Sequence, residues 1–258
     1  MKKIKFFSDK SSGRKENQDN YYICGTIKEE SKDFSEGEMD CPKDGPYICV
    51  VFDGMGGEAH GEVASLFASK NMQMMADRLS GVKDEESLKE YLEEFRIKTT
   101  EDISSYMKEQ DQENLYCGST CAGVYINEEK LIPFWLGDSR IYIWKKEKKT
   151  LKILSKDDTQ AQEWIDQGFM DEEYARATGL WHVLTAFLGN INDKIKIGEE
   201  ISLSEEDVIF ICSDGITDLL LDSSLEQLFK QYLDQADGIL KEVARTWADD
   251  NCTSIIIN

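Results

Sequence analysis

Histidine is nearly missing from this chain of 258 residues: there are two, His60 and His182. A histidine-rich zinc site and the HExxH helix of a metalloprotease are therefore excluded. Positive charge is also scarce. Thirty Lys and Arg stand against 51 Asp and Glu, a net charge of −21. Such a surface repels nucleic acid and anionic membranes, so neither is expected as a partner. The seven cysteines contain no CxxC pair, and Cys49, Cys121, Cys212 and Cys252 sit in or beside apolar runs. They read as small buried hydrophobes in a reducing compartment. Long apolar runs are absent as well. The longest uncharged stretches, 114–127 and 179–192, are too short and too polar to span a bilayer. The opening Met1-Lys2-Lys3-Ile4-Lys5-Phe6-Phe7 starts like a signal peptide, but its apolar stretch ends at Ser8-Asp9-Lys10. A soluble, cytoplasmic protein is expected.

What is present has the length of one large domain, able to bury about 75% of its unfolded surface without disulfides. Neither an internal repeat nor a low-complexity segment interrupts it. Strand-like runs open the chain at 4–7 and 21–27, separated by a polar loop at 8–20. Residues 28–45 are acidic and read as a long exposed hairpin loop. Residues 47–52 are six consecutive apolar residues, the pattern of a strand buried on both faces. Helical spacing follows at 58–79 and 84–110. Strands are expected at 117–126, 131–136, 141–144 and 151–154. Short helices are expected at 158–167, 172–177 and 181–188, then strands at 194–202 and 208–212, helices at 223–233 and 237–248, and a last strand at 253–257. Runs of strands separated by paired helices indicate an α+β fold.

Three apolar strands run directly into small residues and a carboxylate: Val50-Val51-Phe52 into Asp53-Gly54, Phe134-Trp135-Leu136-Gly137 into Asp138-Ser139-Arg140, and Ile209-Phe210-Ile211-Cys212 into Ser213-Asp214-Gly215. Asp249-Asp250-Asn251 precedes the last strand. In an antiparallel sheet the start of one strand lies beside the end of its neighbour, so all four clusters can meet at one end of a sheet. Carboxylates gathered this way repel one another unless a cation is present. Oxygen ligands without His or Cys suit Mg²⁺ or Mn²⁺. A rival motif, Gly54-x-Gly56-x-x-Ala59, fits a dinucleotide-binding turn. Asp53 would put a negative charge on the pyrophosphate, however, and the next element is a helix where a strand is needed. In the N-terminal loop, Arg14 is one of only six arginines, and its fork suits bidentate phosphate binding.

In order along the chain, Gly13-Arg14-x-x-Asn17-Gln18-Asp19, Asp53-Gly54-Met55-Gly56-Gly57 with Gly61-Glu62, Gly118-Ser119-Thr120, Gly137-Asp138-Ser139-Arg140, Val183-Leu184-Thr185 with Leu188-Gly189, Ser213-Asp214-Gly215-Ile216-Thr217-Asp218 and Asp250-Asn251-Cys252-Thr253 resemble the motifs of the PPM-type, metal-dependent protein phosphatases (the protein phosphatase 2C family), at the length of a minimal bacterial member. The resemblance implies a single domain over 1–258. Its fold would be a four-layer α-β-β-α sandwich of two antiparallel sheets flanked by helix pairs, with a flap at about 156–192. It implies a serine/threonine phosphoprotein phosphatase with two Mn²⁺ or Mg²⁺ ions. Asp53 would bridge them, the Gly54 carbonyl would bind one, and Asp214 and Asp250 would complete the site. Asp19 would hold metal-bound waters, and Asp138 with Asp214 would offer a third site. Arg14 would bind the substrate phosphate, and a hydroxide bridging the ions would attack phosphorus in line. Partners would be phosphorylated proteins of a cognate serine/threonine kinase system, met by a monomer.

Four positions depart from the family's usual pattern. Gln18 stands where many members have an acid. Met55 stands where animal members have a histidine proposed as the leaving-group acid. His60, near in sequence, is a candidate proton donor or a helix-start residue. Ala186 stands where members often have Arg. A non-catalytic relative that keeps the fold would tend to lose metal aspartates, and here all are present. A phosphatase of small phosphoesters or of a sporulation or stress regulator stays open.

Overall fold

The computed structural model describes residues 2–29, 32–43, 45–56, 60–110 and 117–258. Gly57 and Ala59 of the glycine-rich motifs, and Asp44 of the acidic loop, lie outside the described residues. Two antiparallel sheets form the centre. The first is ordered β10-β9-β13-β14-β1-β4, built from β10 (Thr150–Ile153), β9 (Arg140–Lys145), β13 (Val208–Cys212), β14 (Cys252–Ile257), β1 (Lys3–Asp9) and β4 (Phe34–Asp40). The second is ordered β11-β8-β7-β5-β2-β3, from β11 (Lys196–Ile197), β8 (Lys130–Leu136), β7 (Cys121–Asn127), β5 (Tyr47–Met55), β2 (Asp19–Ile23) and β3 (Thr26–Ile27). Two short pieces join it: β12 (Ile201–Ser202) on β8 and β6 (Gly118–Ser119) on β5.

Strand periodicity sorts the apolar runs into three layers of core. Along β5, Tyr47, Cys49 and Val51 face the other sheet, while Ile48, Val50 and Phe52 face helices α1 (Gly61–Met74) and α2 (Glu85–Glu109). Along β13, Ile209 and Ile211 point between the sheets. Val208, Phe210 and Cys212 pack with α6 (Asp222–Tyr232) and α7 (Ala236–Trp247). Burial of each large side chain stabilises by roughly 1.5–3 kcal/mol relative to exposure. The helices supply matching stripes. Ala236, Leu240 and Ala244 recur every fourth residue in α7, and α2 starts on a reciprocal Asp84–Ser87 cap. The α-β-β-α sandwich expected from the sequence is the architecture observed. Among the described residues no helix is long and apolar enough to cross a membrane.

Four local expectations are corrected. Part of the 28–45 loop is a strand: β4 pairs with β1 along seven residues, from Lys3 opposite Asp40 to Asp9 opposite Phe34. It is a sheet edge, so its outward Glu36 and Glu38 hide the strand pattern while protecting the edge. The helix expected at 181–188 is only a single 3₁₀ turn, Leu180–His182. Beyond it Leu184 bridges to Thr159 and Leu188 to Ser119, which takes up the backbone groups a helix would use. The strand at 194–202 is two short pieces, β11 and β12, both on β8. Finally, the carboxylate clusters do not sit at one end of one sheet. Asp53 belongs to the second sheet, Asp214 and Asp250 adjoin strands of the first, and Asp138 lies in the turn that passes between them.

Candidate active site

A cleft of about 630 Å³ opens at this edge of the sandwich, lined by Arg14, Asp53, Gly54, Asp138, Asp214 and Asp250 among others. Asp19 lies beneath it, fully buried. All seven positions singled out in the sequence are therefore brought to one place.

The backbone sets each of them. Asp19 and Asp53 are direct partners across β2 and β5. The Asp53 strand is clasped by Thr120, whose hydroxyl accepts from the Asp53 N–H at 3.0 Å and whose own N–H donates to the Asp53 carbonyl at 2.8 Å. Only glycine fits at 54, because a Cβ there would stand 2.1 Å from the Gly61 carbonyl oxygen. Asp214 opens the short helix α5 (Asp214–Thr217), and Asp218, one turn on, donates its N–H to the Asp214 carbonyl. Asn251 holds the Arg14 loop: its amide donates to the Lys10 and Glu16 carbonyls at 2.9 and 3.0 Å, and its Oδ1 accepts from the Gln18 N–H at 2.8 Å. Gly13 lets that loop lie on Asp249, where a Cβ would meet the carbonyl oxygen at 2.3 Å.

The electrostatics are one-sided. Six aspartates (53, 138, 214, 218, 249 and 250) line the cleft, with Arg14 and His182 the basic side chains among the lining residues. Desolvation, then the charges of Asp19, Asp214 and Asp138, push the Asp53 carboxyl well above its ordinary range. Burial also raises Asp214, but its neighbours His182, Asp53 and Arg14 outweigh it and leave Asp214 low. Desolvation and Asp214 raise Asp138. Burial pushes Asp19 up to about 7, even though its Oδ2 accepts from the Ser213 hydroxyl at 2.7 Å. Its other oxygen, Oδ1, is buried and has no hydrogen-bond partner among the described residues. Crowded, desolvated carboxylates and an orphaned carboxylate oxygen are the costs that cations remove. The donor set is oxygen-rich, so the residues fit hard divalent ions such as Mg²⁺ or Mn²⁺.

Arg14 is paired with Asp250 at the rim, and that hydrogen bond raises its guanidinium further. His60 is not among the residues lining the cleft. Its Nδ1 lies 3.1 Å from the Tyr106 hydroxyl, and its ring packs edge-on against the same tyrosine. It is a helix-start residue.

Three residues received no site role from the sequence. His182 lines the cleft, with Nδ1 3.6 Å from Asp218 Oδ2 and 4.0 Å from Asp214 Oδ2. Asp218 is pushed up to about 6 by desolvation and by Asp214. Four-residue spacing after Asp214 was the available signal for Asp218. For His182 there was only its rarity. Lys28 also emerged: it is buried, and its ammonium donates to the Asn17 carbonyl at 2.9 Å just behind Asp19.

The sequence model of the family described as Protein phosphatase 2C matches residues 31–246. The serine/threonine phosphatase stp of Listeria monocytogenes is 23% identical over 219 residues, covering 83% of this chain and 85% of its own. Among solved structures, the S. agalactiae serine/threonine phosphatase superposes with a TM-score of 0.82 at 21% identity, over 100% of this chain and 99% of that one. The catalytic domain of the serine/threonine protein phosphatase PstP, in complex with two manganese ions, superposes with a TM-score of 0.75 at 21% identity, over 100% and 99%.

Proposed function

Since this chain belongs to the protein phosphatase 2C family, we propose that it hydrolyses phosphoserine and phosphothreonine esters in proteins with two Mn²⁺ or Mg²⁺ ions held by its cleft aspartates. The observation that carries this reading is the convergence of Asp53, Asp138, Asp214 and Asp250 above the orphaned Asp19 oxygen. Asp53, the Gly54 carbonyl, Asp214 and Asp250 would hold the ion pair, with Asp53 shared between the two. Asp19 would act through water, and Asp138 with Asp214 would hold a third ion. When bound, the ions supply Lewis acidity, which neutralises phosphoryl charge and turns water into the hydroxide that attacks phosphorus in line.

The chain's own residues supply orientation. Arg14 reaches the rim on a loop pinned by Asn251, with paired N–H donors that match two phosphoryl oxygens. Met55 lines the cleft and has no proton to give to the leaving alkoxide. No cysteine lines the cleft among the described residues, so no thiolate stands ready to form a phosphocysteine. The Cys212 and Cys252 thiols, raised by burial, belong to the core under α6 and α7. On this reading the substrates are phosphorylated proteins supplied by a serine/threonine kinase, met by a monomer.

The test is hydrolysis of a phosphothreonine peptide and of p-nitrophenyl phosphate, with and without Mn²⁺ or Mg²⁺. Turnover is expected to require the added ion and to vanish with chelator. Full activity in excess EDTA would overturn the metal reading.

A further inference from the structure

The segment 156–192 has a small core of its own, in which Ala161, Ala175 and Trp181 are buried against Ile165, Met170 and Leu180. Trp181 is its largest buried member, 6% exposed. Two guanidinium groups lie over its ring, with the Arg140 and Arg176 carbons 5.2 and 5.0 Å from the ring centre. Arg176 belongs to the segment itself, in α4 (Glu172–Thr178). Arg140 belongs to the sandwich, at the start of β9, two residues after Asp138.

Arg140 is immobile. Its Nε and Nη2 donate to the two oxygens of Asp157, at 3.0 and 2.7 Å, and its Nη1 donates to Asp222 Oδ1 at 3.1 Å, which the Tyr142 hydroxyl also reaches at 2.8 Å. A desolvated cation fixed over an indole face attracts it specifically, because the ring's negative quadrupole faces the charge. The segment leaving Trp181 then runs straight into the cleft, where His182 and Leu184 form part of the wall. It is held in line by the Gln160 N–H on the Val183 carbonyl and the Thr185 N–H on the Asp158 carbonyl. Asp158 in turn accepts from the Gly137 N–H at 3.1 Å, beside Asp138.

We propose that Trp181 is a positioning residue for substrate binding: gripped by the Arg140 and Arg176 guanidinium groups, it fixes the 180–185 segment so that His182 and Leu184 wall the cleft around a phosphopeptide. This rests on the phosphatase reading above. A small phosphoester needs only the aspartates and Arg14, whereas the residues flanking a phosphothreonine must also meet the wall. Loosening Trp181 therefore acts on large substrates and spares small ones.

The experiment compares wild type, Trp181→Phe, Trp181→Leu and Arg176→Gln at saturating Mn²⁺. It measures KM and kcat for a phosphothreonine peptide and for p-nitrophenyl phosphate, together with thermal melting. Trp181→Leu fills space but presents no aromatic face, and is expected to raise the peptide KM about 10-fold while leaving kcat for the small ester within about twofold. Trp181→Phe is expected to restore most of the peptide KM. Arg176→Gln is expected to raise it roughly threefold without lowering the melting temperature, which keeps the idea testable where the tryptophan variants fold poorly. Equal peptide KM values for Leu and Phe at 181, or a parallel loss of kcat on the small ester, would overturn the proposal. Failure of the wild type on both substrates would strike the phosphatase reading instead.

Discussion

Asp19 and Asp53 stand directly opposite each other on neighbouring antiparallel strands, at the one end of β2 and β5 that opens into the cleft. Like charges so paired are destabilising by roughly 0.2–1 kcal/mol even on an exposed sheet, and here desolvation adds to the cost. Asp53→Asn removes one charge and the need to protonate it. At pH 8 in chelator the variant is expected to melt about 1–3 °C above wild type, while losing Mn²⁺ binding and turnover. Calorimetry of melting and of Mn²⁺ titration reads both. A variant that kept near wild-type turnover would remove Asp53 from the metal site.

Arg14→Ala should lower kcat/KM by about 10- to 150-fold, the equivalent of roughly 1.5–3 kcal/mol for a charge-assisted pair of hydrogen bonds. Arg14→Lys should rescue only part, because an ammonium lacks the planar fork. Ion binding by calorimetry should persist in both. Unchanged efficiency in Arg14→Ala would return residues 13–18 to the role of a surface loop.

Lys28 offers a pH test away from the cleft. Desolvation lowers its ammonium to about 8 against an ordinary 10.5, with the charge of Asp19 opposing the fall. Between those values the unfolded chain holds a proton that the folded chain has released. Wild-type stability relative to Lys28→Met therefore rises with pH across that window, by on the order of 2–3 kcal/mol in total. Urea titrations of both proteins at pH 7, 8, 9 and 10 measure the difference. A flat difference would mean that Lys28 keeps its proton in the folded protein.

Cys212→Ala deletes a fully buried thiol from the core between β13 and helices α6 and α7. It should cost about 1–3 kcal/mol of stability and leave phosphatase turnover intact. Loss of activity at unchanged stability would point to a chemical role for the thiol.

The four-layer plan was readable in the sequence wherever both faces of a strand are buried. Residues 47–52 and 208–212 have no polar interruption, and alternation alone then divides them between two cores. Where one face meets water the pattern failed. Phe34–Asp40 carries outward glutamates and reads as loop, yet it pairs along its full length. Asp53, Asp138 and Asp214 were legible because each follows an apolar strand, Asp250 because it precedes one, and Arg14 because it sits in a glycine-started loop, while the parts of Asp19 and the Gly54 carbonyl came only with the family resemblance. His182, Asp218 and Lys28 were not legible, because their roles depend on tertiary approach. His182 reaches Asp218 from a turn 36 residues earlier in the chain, and Lys28 is placed by carbonyls of loops rather than by any local pattern.

The clasp between Ser213 and Asp19 joins residues 194 apart in the chain, and that between Arg14 and Asp250 joins residues 236 apart. Contacts of such separation close late, since the chain entropy of the intervening loop must be lost before they form. The site is thus expected to close only once β1 and β14, and the strands beside them, have paired. On the proposed reading, divalent ions that bind only the closed arrangement would act as a brake on escape from the native state. Mn²⁺ should slow unfolding in proportion to the stability it adds and leave the refolding rate almost unchanged, a division that stopped-flow kinetics in urea reads directly.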